Sequence, residues 1–320
     1  MLLPYSYLLD YLKIHLIKTK ISFLIIAHQM FFLSLYKQKS IIMKKILFPT
    51  DFSDTANNAL IYALKMAETQ NATLFVLHAY EMPIISATAN PVMVQDVYKT
   101  IELSNFENFK DQVPQIRDIA KHHNLDHIPM HFILEEGFLN TIIKKRVKEE
   151  NIDLVVMGTN GNSGFDKKLL GSNTANAIGS LNVPVLSIPH DAVFDGIKSI
   201  AFTTLFNAQD KKALDQLIPM ANSFGATIKC IHINNGKHLV DSVVVQNWEE
   251  NYQNSPVQFF VIESDDIEKS IFDFIDSENI DLLVSITRNR SFFEKLFTSS
   301  LTKKLSYHNY VPVLALQEED

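Results

Sequence analysis

Residues 153–188 read DLVVMGTNGNSGFDKKLLGSNTANAIGSLNVPVLSI, and residues 281–316 read DLLVSITRNRSFFEKLFTSSLTKKLSYHNYVPVLAL. The two stretches align without a gap, Asp153 on Asp281. Upstream, KILFPTDF matches SIAFTTLF with Ile46 on Ile200, and LFVLHA matches IKCIHI with His78 on His232. Self-similarity on this scale means two copies of one folding unit. The upstream matches step by 154 residues and the downstream ones by 128, so the first copy holds about 26 extra residues, around EMPIISATANPVMVQDVYKT.

Within the first copy, KKILFP, ATLFVLHA, IPMHFIL, IDLVVMG and VPVLSIP are short, nearly continuous apolar runs. Such strands suit a parallel sheet covered on both faces. Between them Ser53 can cap a helix over DTANNALIYALKMAETQ, a long mixed stretch runs from about Val97 to His123, and FLNTIIKKRVKEEN has apolar residues at helical spacing. The alternation predicts two tandem α/β domains, each a doubly wound five-stranded parallel sheet, over residues 43–190 and 197–318. Ligands of such sheets bind beyond the carboxyl ends of the strands. Asp51, Ala79 and the glycine loop all follow strand ends.

The chain has 320 residues, 47% hydrophobic and 20% charged, enough for two cores. Residues 1–42 carry five lysines against one acid; removing their +4 from the net −7 leaves −11 for the rest. That acidic body argues against nucleic-acid binding. The single cysteine, Cys230, excludes an intrachain disulfide and a multi-cysteine zinc site. In the leader, the uncharged run from Ile21 to Tyr36 is short for a membrane span, and no small-residue cleavage site follows it. It is read as an over-extended start or a disordered extension, with the working protein beginning near Met43. No membrane association and a cytoplasmic location are expected.

Gly158 follows the fourth strand directly, Gly161 comes three residues later, and Gly171-Ser172 opens a helix. Glycines here allow positive φ and close approach of backbone N–H groups to an anion, and the helix start offers unpaired donors and the Ser172 hydroxyl. Lys167 and Lys168 can screen phosphate charge. Taken alone, the same residues suit a tight turn and a plain helix cap equally well. The loop is neither a P-loop nor the G-x-G-x-x-G fingerprint.

In its strand context, the spacing Gly158, Gly161, Gly171-Ser172 resembles the ATP-binding signature of the universal stress protein family. ILFPTDFS resembles that family's first strand and LFVLHA its second, and the resemblance spans nearly all of residues 43–318. It implies a Rossmann-like, adenine nucleotide alpha hydrolase-like sandwich that binds ATP or another adenine nucleotide, with Mg2+ as a candidate companion, and that pairs domains through the last strand. Carried over, Asp51 holds the adenosine moiety with Pro49 beside it, and Ala79 offers backbone to the base. Gly158, Thr159, Asn160 and Gly161 wrap the phosphates, and Gly171, Ser172, Asn173 and Thr174 complete the shell. The second copy departs at most of these positions: Leu205 for Asp51, Ile286 for Gly158, Asn289 for Gly161 and Ser299 for Gly171, with Ser300 retained. One nucleotide per chain is therefore expected, alongside domain pairing within the chain and a candidate homodimer.

Other features read as structural. His122, His123, His127 and His131 straddle a helix end, a loop and a strand, so no single face presents them to a metal. His78 and His232 sit at equivalent strand ends and suit satisfied structural histidines. Phe292, Phe293 and Phe297 stand where the first copy has its loop and would fill a collapsed pocket. No committed catalytic group is evident, since Asp51 belongs to the nucleoside end and Asp166 is flanked by two lysines. A stress-response sensor or switch with at most slow hydrolysis is therefore expected. The alternatives are an interaction scaffold without nucleotide and an ATP-dependent enzyme.

Overall fold

The computed structural model describes residues 43–85, 91–159, 171–236, 239–287 and 311–318. The first half runs β1 (Lys45–Pro49), α1 (Asp54–Gln70), β2 (Thr73–Tyr80), α2 (Pro91–His122), β3 (Met130–Glu136), α3 (Leu139–Glu149), β4 (Leu154–Gly158), α4 (Ser172–Ile178) and β5 (Val185–Ile188). The second runs β6 (Ser199–Thr203), α5 (Ala208–Phe224), β7 (Thr227–Asn234), α6 (Ser242–Tyr252), β8 (Val257–Glu263), α7 (Ile267–Ser277), β9 (Leu282–Ile286) and β10 (Val313–Leu316).

Local chemistry sets the ends of these elements. Ser53 accepts from Ala56 N at the start of α1, and Asn71 ends the helix with φ 51°, a left-handed cap that Asn tolerates. Its counterpart α5 starts with a capping box between Asn207 and Asp210 and ends on Gly225 at φ 67°. Helix α2 begins on Pro91, whose fixed φ suits a first helical turn, rather than near Val97, and so takes in part of the insert. It reaches 32 residues, against 11 in α6.

Alternate strand residues enter opposite layers. Ile46 and Phe48 pack with Leu60, Leu64 and Ile116 under α1 and α2, whereas Leu47 meets Ile142, Ile143 and Ile178 under α3 and α4. The strands form one ten-stranded sheet in the order β3-β2-β1-β4-β5-β10-β9-β6-β7-β8. Pairing is parallel within each half, and the halves share register: Lys45 faces Thr73 as Ser199 faces Thr227, and Val155 faces Val185 as Leu283 faces Val313. Between the halves β5 and β10 run antiparallel, Leu186 against Leu314, and the Ser187 hydroxyl donates to Val313 O. The strand order reverses beside β1, which lies between β2 and β4, and such a switch point leaves a crevice beyond the strand ends. No helix among the described residues is long and apolar enough to cross a membrane.

Candidate functional site

A cavity of about 410 Å³ opens at that crevice. Pro49, Asp51, Ala79, Gly158, Thr159, Gly171, Ser172, Asn173 and Thr174 all line it. Asn160 and Gly161, also expected there, lie outside the described residues, as do Asp166, Lys167, Lys168, Asn289, Phe292, Phe293, Phe297, Ser299 and Ser300. Thr55, Ala56, Glu81 and Leu139 line the cavity too, without a motif to announce them. Asp51 and Glu81 give the described lining two carboxylates, and it contains no lysine or arginine.

The β1 end is a tightly built loop. Thr50 N donates to Leu77 O, and Thr50 Oγ1 accepts from Phe52 N, which holds Phe52 at φ 60°. Oδ1 of Asp51 takes two hydrogen bonds from Ser53, one from its N–H at 3.1 Å and one from its hydroxyl at 2.6 Å. The other carboxylate oxygen has no hydrogen-bond partner among the described residues, and Asp51 is exposed at the cavity. His78 Nδ1 lies 2.8 Å from Thr50 O, and His232 Nδ1 lies 2.8 Å from Thr204 O. A carbonyl only accepts, so both histidines carry the proton on Nδ1 and serve the same structural bond in each half.

Gly158 and Gly171 owe their identity to packing. Neither is among the positive-φ glycines, and Gly171 has φ −65°. A Cβ on Gly158 would lie 2.9 Å from Thr55 Cγ2 and 3.1 Å from Thr55 O, and one on Gly171 would overlap the Thr159 carbonyl oxygen. The glycines therefore let α1, the β4 end and α4 close around one space. Thr174 Oγ1 donates to Gly158 O at 3.0 Å and pins α4 to β4, while Asn140 Nδ2 donates to Asn173 Oδ1 at 3.2 Å. Helix α4 has only seven residues. An anion there would rest on the free N–H groups of its first turn and on Ser172 more than on a summed dipole. Thr159 is buried, and its hydroxyl oxygen has no hydrogen-bond partner among the described residues.

The second half keeps the loop and places larger side chains at two of the lining positions. Phe206 repeats the left-handed turn at φ 56°, and its N–H repeats the bond to Thr204 Oγ1. In the place of Ala56, however, stands Asp210, fully buried. Its carboxylate accepts from Leu205 N at 2.7 Å, Asn207 N at 3.2 Å and Thr204 Oγ1 at 3.2 Å. Ile286, in the place of Gly158, is buried and lines a shallow cleft with Gln209 and Ala213 of α5. Asp210 also closes the capping box of α5 with Asn207.

Among the described residues, no group of three or more His, Cys, Asp or Glu is placed to hold a metal. His131 of the histidine-rich stretch instead stacks on Phe75, with ring centroids 5.0 Å apart.

Comparison with known proteins adds an independent line. The family model of the universal stress protein family matches residues 43–189. A universal stress protein of Methanocaldococcus jannaschii is 30% identical over 158 residues, covering 47% of this chain and 96% of that protein. Universal stress protein A homolog 1 of Coxiella burnetii is 30% identical over 139 residues, covering 42% of this chain and 88% of that protein. Among solved structures, a universal stress protein from Archaeoglobus fulgidus superposes with a TM-score of 0.65 at 18% identity, covering 88% of this chain and 98% of that one, a likeness of fold.

Proposed function

The chain belongs to the universal stress protein family, and from that premise we propose that it binds one adenine nucleotide, ATP in the first instance, in its first half. The observation that carries this reading is the contrast between the halves. Small residues, Ala56, Gly158 and Gly171, line the cavity at the β1–β4 switch point, whereas the larger, buried Asp210 and Ile286 stand at the positions of Ala56 and Gly158 in the second half.

The residues present suit such a ligand. The outward carboxylate oxygen of Asp51 would accept from a ribose hydroxyl, with Pro49 and the Ala79 backbone beside the base. The Ser172 hydroxyl with the first-turn N–H groups of α4 would donate to phosphate oxygens. Because the described lining is acidic, Mg2+ would supply the counter-charge that a triphosphate needs. Residues 43–190 then form the nucleotide-binding domain and 197–318 a domain with a closed site that serves as its structural partner. The biological role is that of a cytoplasmic stress-response switch read through its nucleotide state, with at most slow hydrolysis.

Denaturing freshly purified protein and identifying the released nucleotide tests the ligand, and calorimetric titration of the stripped protein tests the count. One site per chain is expected. Two equivalent sites would overturn the single-site reading, and no thermal shift with millimolar Mg-ATP would point to a scaffold. Turnover well above background that is abolished by Asp51→Asn would point to an enzyme.

A further inference from the structure

Helix α2 outruns the sheet beneath it. Its 32 residues span about 48 Å, whereas the seven residues of β3 span about 23 Å. The carboxyl-terminal part is anchored by Phe109, Ile116 and Ala120, all buried. From Val92 to Asn108 no residue is buried, and Leu103 and Phe106 are 57% and 55% exposed. A helical stretch of this length is marginal in water on its own, and Val94, Val97, Thr100 and Ile101 lower its propensity further. Packing on something else would hold it.

The exposed face names the occupant. Asp96, Lys99, Leu103, Glu107 and Lys110 follow one another at steps of three or four, so they share a stripe, and every one of them is exposed. The buried positions Phe109, Ile116 and Ala120 lie about a third of a turn round the helix from Leu103, and Lys99, Leu103 and Phe106 border an open groove whose far wall is Tyr80, Phe132 and Leu134. About Leu103 the stripe is its own electrostatic complement. Lys99 precedes it by four residues and Glu107 follows by four; Asp96 precedes it by seven and Lys110 follows by seven. None of these four charges makes an ion pair among the described residues. A partner of one sign, basic or acidic, would meet two like charges on this stripe. A second copy laid antiparallel meets none.

We propose that α2 is a homodimerisation element, packed antiparallel on α2 of a second copy about a two-fold axis through Leu103. Lys99 then faces Glu107 of the second copy and Asp96 faces its Lys110, each pair occurring twice, as an isologous interface requires. Leu103 meets its own counterpart on the axis, and Phe106 covers its flank. From Asp96 to Lys110 the contact runs along only about 21 Å of helix. It is smaller than a standard interface, so the dimer depends on concentration.

Sedimentation velocity on the full-length chain over a hundredfold concentration range tests this. Lys99→Glu turns two attractions into two repulsions and weakens association by on the order of tenfold, and Lys99→Glu combined with Glu107→Lys restores it. Mild oxidation of Leu103→Cys yields a disulfide-linked dimer, because a residue on the axis meets itself, while the buried Cys230 of the parent protein stays unlinked. The proposal is overturned by a chain that stays monomeric throughout. It is equally overturned by a dimer that tolerates Lys99→Glu unchanged, or by one in which Leu103→Cys does not cross-link.

Discussion

At the scale of single residues, the two halves act as each other's control. Ala56 and Asp210 occupy the same place, and the second half shows how a carboxylate there is satisfied by the loop around it. Ala56→Asp is therefore expected to leave the fold intact, by circular dichroism, while abolishing nucleotide binding by calorimetry. The reverse change, Asp210→Ala, strips Leu205 N and Asn207 N of their acceptor and should cost about 1–3 kcal/mol of stability in urea unfolding, without creating a second nucleotide site so long as Ile286 remains. Gly158→Ala pushes a methyl against the Thr55 backbone, which cannot swing aside as a side chain tip can. A loss of about 1–3 kcal/mol is expected even without nucleotide. A variant that lost affinity at unchanged stability would return this glycine to a purely ligand-facing role.

At the scale of elements, β3 and α3 are joined by charge. Burial alone would raise the Glu135 carboxyl, but hydrogen bonds and attraction from Lys145 and Arg146 outweigh it and hold its pKa below the usual value. A lowered folded-state pKa contributes stability above the unfolded value and loses it as the pH falls through the folded one. Glu135→Gln should thus cost about 0.5–1 kcal/mol near neutrality, and the gap from the parent protein should close in acid. Equal gaps at both pH values would remove the ion pairs from the account. The strands were readable from sequence because a parallel sheet covered on both faces leaves unbroken apolar runs; strand ends and the glycine loop marked the ligand edge, and the resemblance to the universal stress protein family supplied the nine lining residues. The reason for Gly158 was not readable, since nothing local announces that Thr55 will stand against it. Asp210 was not singled out either, because nothing local to it announces that its carboxylate will be buried against the loop from Thr204 to Asn207. The extra length of the first copy was visible, but its becoming the start of α2 depends on Pro91 opening a helix that runs on to His122.

At the scale of the whole molecule, the halves meet along β5 and β10, where backbone groups pair across the joint and Ser187 adds a side-chain bond. Residues 43–190 produced alone would expose β5 as an unprotected edge whose residues are all buried in the intact sheet. Self-association of that fragment, by light scattering, is expected; a well-behaved monomer would show that the joint contributes little. The same joint has a further effect. Strands parallel within each half but opposed between halves send their carboxyl ends to opposite rims. The rim that bears the cavity and the rim that bears Asp210 thus look away from each other, so natural selection could rework the second for another purpose without ever crowding the first.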